Sequence, residues 1–404
     1  MADENNGRTR ACRAIVCLWV LAIAQYAYRY ILQVNDPRTS HLYSATPPLL
    51  SAIKYGLLAA FAVYALTRRP VLPWRIYWRI IAGCFATLIL VLCVRIYISH
   101  GNVSRDTMVC ASEFIPWMCS VFLIPAALGS QHSIDRTFSA FERVSFWVVW
   151  PFWCMTVLLA ITGVRYPALS YPGLLLRFGG IIDDPNGYAV LCLLWLTLSW
   201  RYRAGHWRLR TFWYFVMLLM TLSISGYVTA FVMLLCKLAA WTGTIKLQTV
   251  KIGFACALIA CAIPFYRMEN AAEKLRALYE SKNNSAETHF VDLVPRLDED
   301  LTDALFGRGG FSENFYWRIM ANFGLIGLIA VGSTAVIWVM KAGSLASWAV
   351  ALLIGSNGIA YLLVFPVNLI WWSAIACNLS LSTAKPLADR PVLPRFRRLP
   401  ELHG

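Results

Sequence analysis

Predominantly apolar runs recur along this chain from Arg13 to Leu381, with short polar breaks between them. Most are near the ~20 residues that a helix needs to cross a hydrocarbon layer, and about twelve can be drawn. They cover residues 13–32, 49–67, 76–98, 109–128, 144–163, 186–200, 211–223, 225–242, 252–265, 316–340, 345–366 and 368–382. The ~10-residue alternating segments of transmembrane strands are absent from the pattern. It predicts an all-α, polytopic membrane bundle of about twelve helices in one domain, residues 1–404. The short seventh and eighth runs read either as two helices or as one broken unit.

The pattern changes character once. Tyr266 to Glu313 is polar, leads into Asn314-Phe315-Tyr316, and holds about half of the chain's 21 Asp and Glu. Residues 266–315 are therefore expected to form one large loop outside the bundle. Glu269 and Glu273 stand at helical spacing from Lys274 and Arg276, which predicts a surface helix within it. A second outer segment, Val164 to Pro185, carries Arg165, Arg177, Asp183 and Asp184 and ends in the turn Asp183-Asp184-Pro185-Asn186-Gly187.

Composition agrees with membrane residence: 59% of residues are hydrophobic, 14% are charged, and the mean hydropathy is +0.57. The net charge of +15 raises the question of nucleic acid, but the basic residues mark alternate loops. Arg8, Arg10 and Arg13 precede the first run; Arg68, Arg69 and Arg75 follow the second; Arg136 and Arg143 follow the fourth. Arg201, Arg203, Arg208 and Arg210 follow the sixth, Lys246 and Lys251 the eighth, and Arg395, Arg397 and Arg398 the last. That alternation is the positive-inside pattern. It predicts cytoplasmic termini and an outer location for residues 266–315, and it argues against a nucleic-acid partner.

The first run is long and lacks a small-residue cleavage site, so it reads as an uncleaved helix. The 12 cysteines fall in or beside apolar runs without zinc spacing, and the six histidines form no HExxH, so no metal or disulfide framework is expected. His289 is a reserve base. No nucleotide-binding glycine fingerprint follows a strand-like segment, which disfavours a nucleotide-driven pump.

Arg177 and Arg296 stand in the two longest outer segments. Their forked donors suit phosphate oxygens, although an outer arginine also serves headgroups or a nearby carboxylate. Arg308, within Gly307-Arg308-Gly309-Gly310, is a third candidate, unless its glycines only turn the chain. Glu313, at the start of the tenth run, is placed either to accept a proton from an attacking hydroxyl or to cap the helix. Asn314 and Tyr316 either orient a sugar or anchor that helix. Arg29, Lys54, Arg95 and Glu113 lie inside apolar runs and either line an outward polar cavity or, for the basic three, snorkel to headgroups.

Three places together resemble the O-antigen polymerase and ligase family of membrane glycosyltransferases. Arg177 with Asp184-Pro185-Asn186-Gly187 is similar to its outer arginine before an Asn-containing helix start. Thr221-Leu222-Ser223-Ile224-Ser225-Gly226-Tyr227 resembles its helix break, but lacks the arginine often found there. Leu305-Phe306-Gly307 through Glu313-Asn314-Phe315-Tyr316, with Asn322-Phe323-Gly324-Leu325-Ile326-Gly327, resembles its glycine turn, polar pair and glycine-bearing helix. Glu313 stands where ligases typically have histidine, which favours polymerase over ligase.

The resemblance implies a metal-independent, cofactor-free enzyme of the bacterial inner membrane acting on undecaprenyl-diphosphate-linked oligosaccharide at the periplasmic face. It implies Glu313, Arg177 and Arg296 as catalytic residues and Arg308, Asn314, Tyr316, Asn186 and Asp184 as substrate-binding ones. Membrane lipids and a chain-length regulator are the expected partners. The alternatives are a ligase that hands polymer to an acceptor, and a flippase or transporter, for which no symmetric halves are visible.

Overall fold

The computed structural model describes residues 2–35, 76–128, 130–162, 178–182, 185–203, 205–240, 301–310, 314–341 and 346–356, with short pieces between 52 and 63 and between 369 and 377. All regular structure among them is helical. The principal helices are α1 (Ala2–Asn35), α2 (Ile76–Ile98), α3 (Arg105–Met118), α4 (Ile124–Leu128), α5 (Gln131–Thr162), α6 (Pro185–Tyr202), α7 (Trp207–Met220), α8 (Ile224–Ala240), α9 (Leu301–Phe306), α10 (Phe315–Lys341) and α11 (Ala346–Gly355). A π-helical turn, Cys119–Leu123, joins α3 to α4 between Pro116 and Pro125, each of which lacks an amide donor. Among the described residues two helices, Arg79–Ile98 and Phe315–Ile337, are by themselves long and apolar enough to cross a bilayer. The run expected at 252–265 and the surface helix expected within 269–282 lie outside the described residues.

Elements begin and end where local chemistry satisfies their backbone groups. α2 covers the same residues as the expected third run and ends in a Schellman-type turn, with His100 at positive φ and the Gly101 N–H donating to the Ile96 carbonyl at 2.9 Å. Ser104 caps α3 by accepting the Thr107 N–H at 3.2 Å, and Ser130 caps α5 by accepting the Ser133 N–H at 3.2 Å. α1 and α5 both begin well before the apolar runs they contain. The added turns pack together, with the Cys12 thiol donating to the Ser133 carbonyl and Trp19 set against Phe138 and Phe141.

Side-chain pairs fix the relative directions of the helices. Cys12 meets Ser133 while Trp19 meets Phe141, so α1 and α5 run parallel. Glu142 meets Arg210 and Phe146 meets Tyr214, so α5 and α7 run parallel too. Tyr188 against Met217 and Ser199 against Thr211 make α6 and α7 antiparallel. Phe85 against Trp117 sets α2 antiparallel to α3, and the Phe315 N–H on the Ser356 carbonyl sets α10 antiparallel to α11. The seventh and eighth apolar runs are two helices. After the Thr221–Ser223 break, α8 returns in the direction of α6, with Ser223 beside Asn186 and Met233 beside Thr197.

The core is aromatic and aliphatic, with Trp19, Trp117, Trp195, Trp371, Tyr188 and Tyr214 almost wholly buried. Among the described residues, one ion pair lies inside it. Arg210 donates from Nε to Glu142 Oε1 at 2.7 Å and from a terminal nitrogen to Oε2 at 2.8 Å, and the Tyr214 hydroxyl donates to the same carboxylate at 3.1 Å. With Glu142 1% and Arg210 8% exposed at the side chain, this forked pair joins α5 to α7 out of water.

Candidate functional site

Following these directions, Asn186, the break before α8, the Gly307–Gly310 turn and the start of α10 fall at one end of the bundle, here the upper end. Two polar neighbourhoods form there. The first joins α6 to the α7–α8 break. Leu222 takes a positive φ of 47° to reverse the chain, and the Ser223 hydroxyl donates to Asn186 Oδ1 at 2.9 Å and lies 3.2 Å from the Ser225 hydroxyl. Ser223 also accepts the Gly226 N–H at 3.2 Å, which caps α8. Gly226 is packed so closely on Ala189 that a Cβ would collide with it, so α6 and α8 cross at glycine. The residue after Arg177 is fixed as well: the Phe178 N–H donates to the Met220 carbonyl at 3.1 Å, at the open end of α7.

The second neighbourhood is the seam where α3, α10 and the glycine turn meet. Ala321 and Gly324 mark an interruption of α10, Gly324 having φ 63° and ψ −167°, a backbone conformation open only to glycine. The interruption frees the Ala321 carbonyl, and the Gly309 N–H donates to it at 2.8 Å. Asn322, 1% exposed, completes the junction. Its amide donates to the carbonyls of Gly310 and Arg318 at 2.8 Å each, and its Oδ1 accepts the Thr107 hydroxyl at 2.9 Å. Gly307 and Gly309 are at positive φ, and a Cβ on either would strike α10 or Ser104. The glycines therefore turn the chain, and by doing so seat the loop's last segment on α10. Arg95 holds the same segment from α2 through a 2.8 Å ion pair with Asp303 of α9.

Of the residues expected from sequence, Arg177, Arg296, Glu313, Asp184, Lys54 and His289 lie outside the described set, as does the side chain of Arg29. Arg308 is exposed on the glycine turn, one residue from the bond to Ala321. Asn314, 3% exposed, caps α10: its Oδ1 accepts the Tyr316 and Trp317 amides at 2.9 and 3.3 Å. The Tyr316 hydroxyl donates to the Leu353 carbonyl of α11 at 2.6 Å. Of the two roles left open for Asn314 and Tyr316, these bonds supply anchoring. Because the Phe315 amide is on Ser356, the first three α10 amides all have partners, so an anion at this helix start would need side-chain donors. Arg95 has a carboxylate partner and is not a bare snorkelling cation.

Sequence reading passed over Arg318, the single charged residue from Phe315 to Met340. Half-buried, it lies against the Cys110 thiol of α3, with Glu113 in the same electrostatic neighbourhood. Its isolation in an apolar helix was the available signal. No family model, no curated protein and no solved structure matches the chain.

Proposed function

We propose that the chain is a membrane polymerase of about twelve transmembrane helices that joins undecaprenyl-diphosphate-linked repeat units into a surface polysaccharide at the periplasmic face of a bacterial inner membrane. The observation that supports this reading is that the described parts of the three resembling places, Asn186, the Thr221–Ser223 break and the Gly307–Gly310 turn with the start of α10, lie at one end of the bundle. The helix directions support it too, since each is the one that alternate crossing would give. Large apolar side chains on α5, including Val144, Trp147, Met155, Leu158 and Ile161, are exposed as a lipid-facing surface would be.

In this mechanism the Glu313 carboxylate takes the proton of a sugar hydroxyl on the incoming repeat unit. The hydroxyl oxygen bonds to the anomeric carbon of the growing chain, and the bond from that carbon to the phosphate oxygen breaks. The diphosphate leaves with the bonding pair, and Arg177 and Arg296 offset the charge that builds on it. Arg308, Asn186 and Asp184 border the substrate, while Asn314 and Tyr316 anchor the helix start beside it. Glu313 in place of a ligase histidine favours polymerisation over transfer to an acceptor.

Reconstituted protein given purified lipid-linked repeats should lengthen them, and Glu313→Gln or Arg177→Ala protein that inserts normally should lose most of that activity. Undiminished polymer length in both variants removes these residues from the mechanism. Transport of repeats without coupling overturns the enzyme reading.

A further inference from the structure

α6 starts at the upper end with Asn186 and runs down to Tyr202, so the turn from α6 into α7 lies at the lower end of the bundle. Arg201, Arg203 and Arg208 flank this turn, and from Pro185 to Met268 the sequence carries no Asp or Glu. Trp207, half-buried at the first position of α7, has two guanidinium carbons over its ring, that of Arg203 at 5.4 Å from the centroid and that of Arg208 at 5.6 Å. A ring attracts a cation through its π-electrons and takes up none of its N–H donors. Arg203 spends its Nε on the Trp200 carbonyl at 3.4 Å, and among the described residues neither arginine has an ion pair. Two like charges held on one ring repel, so their placement favours an anion that both can reach. α7 begins here without a side-chain cap, and the positive end of its macrodipole acts in the same sense. The next residues of α7 are apolar and open. Leu209 is 58% and Phe212 41% exposed, and Phe212 stands one helical turn above Arg208 on the same face. A cationic head directly below an exposed apolar strip matches an anionic phospholipid, whose phosphodiester meets the arginines while an acyl chain follows the strip. A free phosphate would leave that strip without a role.

We propose that Arg203, Trp207 and Arg208 form a binding site for the headgroup of an anionic phospholipid in the leaflet at the lower end of the bundle, with Leu209 and Phe212 receiving its acyl chain. The inference rests on the membrane reading of the chain and is independent of the polymerase reading. Forked N–H donors bond to the phosphodiester oxygens, and Trp207 holds both forks at the headgroup level, where an indole ring is itself at home.

The test titrates full-length protein with phosphatidylglycerol, phosphatidylcholine and inorganic phosphate as separate probes, counting bound molecules by native mass spectrometry. Wild type should hold phosphatidylglycerol in preference to phosphatidylcholine. Arg208→Gln should weaken phosphatidylglycerol binding by roughly fivefold, and Arg203→Gln with Arg208→Gln by about tenfold or more, with phosphatidylcholine binding unchanged. Arg13→Gln, which removes an exposed arginine of α1 at the same end, should leave phosphatidylglycerol affinity as it is. Unchanged phosphatidylglycerol affinity in the double variant, or in both single variants if the double one does not survive extraction, overturns the assignment. An equal loss in Arg13→Gln overturns it too, marking a diffuse basic surface, as does release of the lipid by equimolar inorganic phosphate, which marks a site for a soluble anion. Wild-type protein washed from membranes by alkaline carbonate overturns the membrane reading and the assignment together, whereas membrane retention without arginine-dependent binding overturns the assignment alone. Arginine-dependent binding in a protein that never couples repeats sustains the assignment and defeats only the polymerase reading.

Discussion

Glu142 and Arg210 stand 68 residues apart and meet edge to edge, a relation that no local pattern announces. Along the chain Arg210 is one of several basic residues in a loop and counts only toward sidedness; in the fold its side chain is 8% exposed and serves the core. Taking two charges out of water is costly, and their attraction together with the Tyr214 hydroxyl offsets much of that cost. Removing one partner leaves the other buried alone. Arg210→Ala should therefore destabilise the protein by about 3–5 kcal/mol, whereas Glu142→Met with Arg210→Met should recover most of the loss. Thermal unfolding in detergent checks both, and a double variant as unstable as the single one would show that packing, and not charge, is what the pair supplies. Arg318 presents the opposite case. Sequence reading passed over it, although one guanidinium in an otherwise uncharged stretch needs a reason.

Helices were the most legible elements. α2 spans the residues of its apolar run, and α6, α7 and α8 each begin and end within a few residues of theirs, because an apolar stretch bounded by polar turns has few other ways to satisfy its backbone. The interruption in α10 was less legible. Gly324 looks like one more small residue in an apolar helix, and only its packing under the Leu305 carbonyl shows that a Cβ there is excluded. Gly324→Ala should cost about 1–3 kcal/mol of local strain and loosen the Gly307–Gly310 turn from Ala321 and Asn322. Hydrogen exchange reads this directly: the Gly309 amide, bonded to Ala321, should exchange faster in the variant, while amides of α6 and α7 keep their protection. Equal exchange at Gly309 in both proteins would mean that the turn is held without the helix break.

For the whole molecule, sidedness is the property to measure. A protease site inserted at residues 284–285 should be cut from the periplasmic side in spheroplasts, and a site added after residue 404 only after lysis. The reverse pattern would place the loop that carries Arg296 and Glu313 away from the proposed substrate. The sequence by itself determined that this is a helical chain, where its apolar runs lie, and which breaks between them carry the basic charge. These follow from composition and short-range pattern, since hydrocarbon length and backbone satisfaction act within each segment. Tertiary structure alone decided that α8 doubles back at Ser223, that Asn186 meets that break, that Asn314 spends its side chain on capping, and that Arg318 lies beside Cys110. Such meetings depend on which helix faces carry small residues and free carbonyls at the same height, and those heights are set by neighbours far away in sequence.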